Sequence, residues 1–76
     1  MKAEAGKRCR HYKNGKEYTI LALAHHTETG EKLVVYQAEY DTEDLGPRPV
    51  FVRPQEMFEE QVEVGGKLTD RFTRID

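Results

Sequence analysis

The chain has 76 residues, 34% of them charged, with a formal net charge of −2 and a mean hydropathy of −0.83. That length allows one domain, near the lower limit for a core without staples. One cysteine excludes an internal disulfide, no apolar run nears the ~20 residues of a membrane span, and the acidic balance lacks the strong basicity of a generic nucleic-acid binder.

In chain order, residues 1–7 (MKAEAGK) read as a mobile N-terminal arm and residues 8–76 as a single small domain. The opening carries no apolar stretch of the signal-peptide kind, which with the lone cysteine points to a cytoplasmic protein. Arg8 to Lys13 (RCRHYK) predicts a first strand, and Asn14-Gly15 a tight turn into the second. Tyr18 to Tyr40 then forms two apolar runs joined by Thr27-Glu28-Thr29-Gly30, a β-hairpin. A three-residue loop of Glu28, Thr29 and Gly30, with Gly30 in the left-handed region, sets the expected register. It pairs His26 with Lys32, Ala24 with Val34, Ala22 with Tyr36, Ile20 with Ala38 and Tyr18 with Tyr40, all on one face that is apolar except at the turn.

Asp41 to Pro49 (DTEDLGPRP) reads as an acidic loop with a Gly-Pro pair. Val50 to Arg53 resumes as a strand, with Phe51 and Arg53 facing one way and Val50 and Val52 the other. Pro54 suits the start of a short helix through PQEMFEE, which turns Met57 and Phe58 to the core. Gln61 to Val64 and Leu68 to Phe72 close the chain as a hairpin around Gly65-Gly66-Lys67. The order predicts a mainly β fold: a small SH3-like, partly open β-barrel of five or six strands with one short helix.

Charge is uneven. Lys7, Arg8, Arg10, Lys13 and Lys16 lie in a segment without acids, whereas Glu39, Asp41, Glu43 and Asp44 form an acidic stretch. Complementary solvated faces account for this patterning. Cys9 and His11, at i and i+2 on a strand, point the same way, but no orienting partner or oxyanion hole accompanies them. His25 and His26 point to opposite faces, so at most one could join Cys9 and His11 around a metal, and no C-x-x-C or H-x-x-x-H spacing is present. The acidic loop lacks the spacing of a calcium loop. No cofactor is expected.

Arg53 is the polar residue of greatest interest. Its stem follows Val50-Phe51-Val52, so packing is expected for the stem while the guanidinium seeks an anion. An ion pair with Glu39 or the acids of the helix makes it structural. An exposed guanidinium beside Arg10, His11 and Tyr12 makes it an anion or partner site. Tyr18, Tyr36 and Tyr40 fall in the core under the expected register.

The segments RHYKNGKEY, HHTETGEKLVVYQAEY, VRPQEMF and GGKLTDRF occur in this order. Together they resemble a bacterial family known as domain of unknown function 1653, over roughly residues 8 to 75. That family has an R-H-aromatic-K-G start, an H-T/S-E-T-G-E turn, a V-V-Y strand, a V-R-P-x-x-M-F segment and a terminal G-K-x-x-P-R-F. The chain departs from the pattern at Thr69-Asp70, where a proline follows in the family, in a longer loop around Gly46-Pro47, and at Cys9, where an aromatic residue is commoner. The resemblance implies a small β-rich domain found in bacteria and supplies neither an activity nor catalytic residues.

The expected function is a non-catalytic binding module for a protein, peptide or anionic ligand, with Arg10, His11, Tyr12, His26 and Arg53 as candidate binding residues and no metal ligands. RNA or DNA binding through the basic 7–16 segment, with Tyr12 as a stacking platform, is the alternative. A metal- or thiol-dependent enzyme around Cys9 and His11 is the weaker one.

Overall fold

The computed structural model describes all 76 residues. Seven strands and one short helix follow in the order β1 (Arg8–His11), β2 (Glu17–His25), β3 (Lys32–Ala38), β4 (Val50–Pro54), α1 (Gln55–Glu59), β5 (Gln61–Val64), β6 (Lys67–Asp70) and β7 (Phe72–Arg74). Five of the strands form one antiparallel sheet, ordered β4-β3-β2-β1-β7, and β5 and β6 form a separate hairpin. The mainly β expectation holds. One detail differs: there are seven strands where five or six were expected. The strands do not close into a barrel.

The extra strand comes from the chain end. Leu68 to Phe72 was expected as one strand, but pairing of β6 with β5 stops at Asp70, and Phe72 onwards pairs with β1 instead. Arg71 is the joint: its N–H donates to the Glu60 carbonyl, and its own carbonyl accepts from the Tyr12 N–H.

The long hairpin forms, with a different register. Gly30 adopts φ 75° as expected, but its N–H donates to the His26 carbonyl and the His26 N–H to the Glu31 carbonyl, both at 2.8 Å. The loop therefore contains Thr27, Glu28, Thr29 and Gly30, one residue more than expected. Local side-chain acceptors support this wider loop: His26 Nδ1 accepts from the Glu28 N–H and Thr29 Oγ1 from the Glu31 N–H. His25 then pairs with Lys32, Leu23 with Val34 and Ala22 with Val35. A bulge between Ile20 and Ala22 shifts the register again, so that Ile20 pairs with Tyr36 and Tyr18 with Ala38. An inserted residue exchanges the faces of everything beyond it. Tyr18 and Ile20 therefore share the inner face with Val34, Tyr36 and Ala38, while Ala22 and Ala24 join Val35 and Leu33 on the outer one. The expected single dry layer of eight residues is divided at Leu21.

The core comprises Ala3, Cys9, Tyr18, Ile20, Val34, Tyr36, Ala38, Phe58 and Phe72. On β4, Phe51 packs against it, whereas Val50 and Val52 are exposed, as the alternation predicted. In α1 only Phe58 is buried. Met57 points out, because a helix this short presents a single residue of such a pair to the sheet. Phe58 lies parallel to Phe72, with ring centroids 4.0 Å apart. Residues 1–7, read as an arm, run against this core. Ala3 is buried and its N–H donates to Glu59 Oε2, and the Gly6 N–H and Lys7 carbonyl bond both backbone groups of Ile20.

Candidate functional site

The site starts from the alternation along β4. Phe51 and Arg53 lie on the core face, and Arg53 is paired across the sheet with Val34. Pro54 ends the strand, since it has no N–H to extend the ladder. The Arg53 guanidinium is consequently carried over the inner, concave side of the sheet. Its Cζ stands 5.4 Å from the centroid of the Phe72 ring.

Arg53 lines a cavity of 270 Å³ together with His11, Asn14, Tyr18, Tyr36, Phe51 and Phe72. These residues come from β1, the turn after it, β2, β3, β4 and β7. The aromatic wall is built edge to face: Tyr18 meets Tyr36 at 5.5 Å and Phe72 at 5.9 Å, and His11 meets Phe72 at 4.8 Å. Asn14 Nδ2 donates to the Tyr18 hydroxyl at 3.1 Å, and that hydroxyl also shares a 2.6 Å bond with Tyr40. The same asparagine accepts the Lys16 N–H through Oδ1, so the Asn14-Gly15 turn and one side of the cavity are held by one side chain.

Arg53 has no carboxylate partner. Nη1 is shut off from solvent and has no hydrogen-bond partner, which leaves a donor whose desolvation is uncompensated at about 1–3 kcal/mol. Of the acids expected to neutralise it, Glu56 forms no ion pair, and the others are engaged elsewhere. Glu39 holds Arg48 and Thr19, Glu59 accepts from Ala3 and Gln55, and Glu60 pairs with Arg71.

The uncompensated charge is felt around the cavity. His11 is held below its ordinary pKa by burial first, then by the positive charges of Arg53, Arg71 and Lys13. Its Nδ1 accepts the Lys13 N–H at 3.1 Å, which leaves the proton of the neutral ring on Nε2. Burial raises the Tyr36 pKa, and Arg53 pulls the other way. Tyr40 is pushed up to about 12 by burial and by its bond to Tyr18. At neutral pH the cavity therefore holds one fixed cation, a neutral imidazole at His11 and the neutral phenol of Tyr36.

Of the candidate residues, the structure brings together His11 and Arg53, with Tyr12 stacked on His11 at 5.1 Å and exposed beside it. Arg10 is excluded: it faces the other side of β1 and pairs with Glu17 at 3.0 Å. His26 is a loop cap, exposed at the far end of the hairpin. Asn14, Tyr18, Tyr36, Phe51 and Phe72 were missed. The available signal was an arginine between apolar strand residues in a chain with four tyrosines, whose hydroxyls need partners when buried.

Cys9 is fully buried. Its thiol is pushed up to about 11 by burial and by the negative charge of Asp76, so no thiolate faces His11 at neutral pH. No group of three or more His, Cys, Asp or Glu side chains is placed to hold a metal ion. A larger depression of 440 Å³, lined by Glu31, Lys32, Pro54, Gln55, Glu56 and Glu59, has no hydrophobic side chain in its wall and no orphaned group. No helix is long and apolar enough to cross a membrane.

The fold and site define a small antiparallel β domain with an arginine set in an aromatic cavity. The chain belongs to the family described as "Protein of unknown function (DUF1653)", whose model matches residues 7–74. It is similar to a crystal structure of a DUF1653 protein from Bordetella bronchiseptica, with 33% sequence identity and a TM-score of 0.81, over 99% of this chain and 91% of that one. Among curated proteins none matches significantly.

Proposed function

We propose that this domain is a non-catalytic bacterial binding module, acting in the cytoplasm, whose cavity receives an anionic group at Arg53. One observation carries this reading: a guanidinium lines an aromatic cavity with Nη1 unpartnered, and no carboxylate of the chain is paired with it. A scaffold arginine is ordinarily paired when desolvated, because leaving it unpaired costs stability. An incoming carboxylate or phosphate would satisfy it with charge-assisted hydrogen bonds once the cavity wall shifts to open Nη1, which is closed to solvent in the unliganded domain.

The nucleic-acid alternative has less support. Arg8 is bridged to Glu17 and Asp76 and Arg10 to Glu17, so the basic segment is partly neutralised within the fold. The test is a chemical-shift titration with acetate and with inorganic phosphate. The reading expects saturable shifts at the His11 ring and the Arg53 guanidinium with at least one of them. It fails if neither anion moves those signals beyond what equal ionic strength of chloride produces.

A further inference from the structure

We propose, building on the anion-binding reading, that the ligand of the Arg53 cavity is a monocarboxylate carried on a single aromatic ring. Three features of the cavity select this class.

The first is charge. Arg53 is the lone charged residue in the lining, beside His11, Asn14, Tyr18, Tyr36, Phe51 and Phe72. Arg71 is engaged by the Glu60 carboxylate and the Met57 carbonyl, and Lys13 is exposed outside the lining. One guanidinium matches one negative charge. A phosphate monoester, a dianion at neutral pH, would leave a second charge against aromatic faces, whose quadrupole is negative.

The second is the wall. Tyr18, Tyr36, Phe51 and Phe72 offer ring faces and edges, which favour a flat apolar body packed offset or edge-on. The third is size. At 270 Å³ the cavity lies just under the ~300 Å³ at which typical small-molecule sites begin. One ring with a short acid arm suits that volume, and a nucleotide exceeds it.

The polar rim completes the site. The Nε2–H of neutral His11 is a donor for a carboxylate oxygen that Arg53 does not engage. The ring can come from a free aryl acid or from the C-terminal phenylalanine of a peptide, since both present the same chemistry.

The experiment is calorimetric titration of the whole chain with phenylacetate, acetate, benzyl alcohol and phenyl phosphate, at about pH 8 where phenyl phosphate is a dianion. Phenylacetate is expected to bind at least tenfold more tightly than each of the others. Equal binding of acetate would show that the rings play no part and overturn the inference. Equal or tighter phenyl phosphate would overturn it while leaving the anion reading in place, and no heat from any of the anions would remove both. Arg53→Lys, which keeps the charge but loses the planar fork, is expected to weaken phenylacetate at least tenfold in a protein whose near-ultraviolet circular dichroism is unchanged. Unchanged affinity in that variant also overturns the inference. A short peptide ending in free phenylalanine, set against its C-terminal amide, distinguishes the two sources: saturable binding of the acid form assigns a peptide terminus, and its exclusion assigns a free acid.

Discussion

Arg53 and Phe72 meet at 5.4 Å although they lie on the two opposite edge strands of the sheet, β4 and β7. In a flat sheet four strand spacings of about 4.8 Å would separate those strands by roughly 19 Å. Their contact therefore requires the sheet to curl around its inner face until its edges confront each other, without hydrogen bonds joining them. That curl carries the aromatic rings of β2, β3 and β7 over Arg53 and creates the cavity. A cation over an aromatic face is stabilising by about 0.5–2 kcal/mol, depending on desolvation, which compensates part of the cost of the unpartnered Nη1.

Arg53→Met is expected to change the unfolding free energy by no more than about 1 kcal/mol. The lost cation–aromatic contact is offset by removal of an unsatisfied donor. Urea denaturation measures this. Breaking a buried ion pair would instead cost about 3–5 kcal/mol, and a loss of that size would reveal a structural partner for Arg53.

Phe58→Ala should cost about 3–5 kcal/mol, because Phe58 is fully buried and stacked on Phe72. A chain of this length has about 4–11 kcal/mol in total, at roughly 0.05–0.15 kcal/mol per residue. The variant is therefore expected to melt far below the parent or to be largely unfolded at room temperature. Met57→Ala, one residue away but exposed, should shift the melting temperature little. Circular dichroism melts of the two variants separate the helix face that packs from the one that does not.

His11 should titrate below 6.5 in the folded protein, and its midpoint should move upward in Arg53→Met, where one of the charges facing it is gone. Arg71, Lys13 and burial still act in that variant, so the recovery is partial. The sign for stability follows: a histidine with a depressed pKa is held neutral by the fold. Its contribution is present above 6.5 and is lost as pH falls through the folded value. Nuclear magnetic resonance titration of the imidazole protons gives both midpoints, and equal midpoints in parent and variant would contradict the electrostatic account.

Cys9 should resist alkylation in the native state and react quickly in urea. Its thiol pKa is raised from 9.0 to about 11, so the protonated form favours folding. The corresponding stability is fully present below about 9 and is lost as pH rises from there through about 11. Cys9→Ala lacks this group and is expected to lose less of its stability over the same interval. Tyr36 and Tyr40, whose pKa values are also raised, supply the alkaline loss that remains. Denaturation midpoints measured across that range check the difference, and parallel curves would refute it.

Much of the site's raw material was legible along β4. The two-residue alternation placed Phe51 with Arg53 and Val50 with Val52, and Pro54 marked the change from strand to helix, as the structure has it. The histidine that joins Arg53 was also named. What reading in one dimension could not supply was the fate of the acids. Glu39 lies past the end of β3 remote from Val34, the cross-strand partner of Arg53, and is captured there by Arg48, at φ 41° in the loop before β4. Nor could it reveal Phe72 as the ring over Arg53, because that depends on the last strand breaking at Arg71 and crossing to β1.

By itself, then, the sequence determined most of the elements, the break between β6 and β7 excepted: glycines at the turns, apolar alternation in the strands, a proline at the helix start, and one arginine among apolar neighbours. Only the tertiary structure decided the register of the long hairpin and the existence of the cavity. Alternation specifies faces relative to a pairing, and a single bulged residue at Leu21 exchanges them for every residue beyond it. The cavity walls are side chains between 11 and 72 in the numbering, brought together by the curl of a sheet that sets strands distant in sequence against one another.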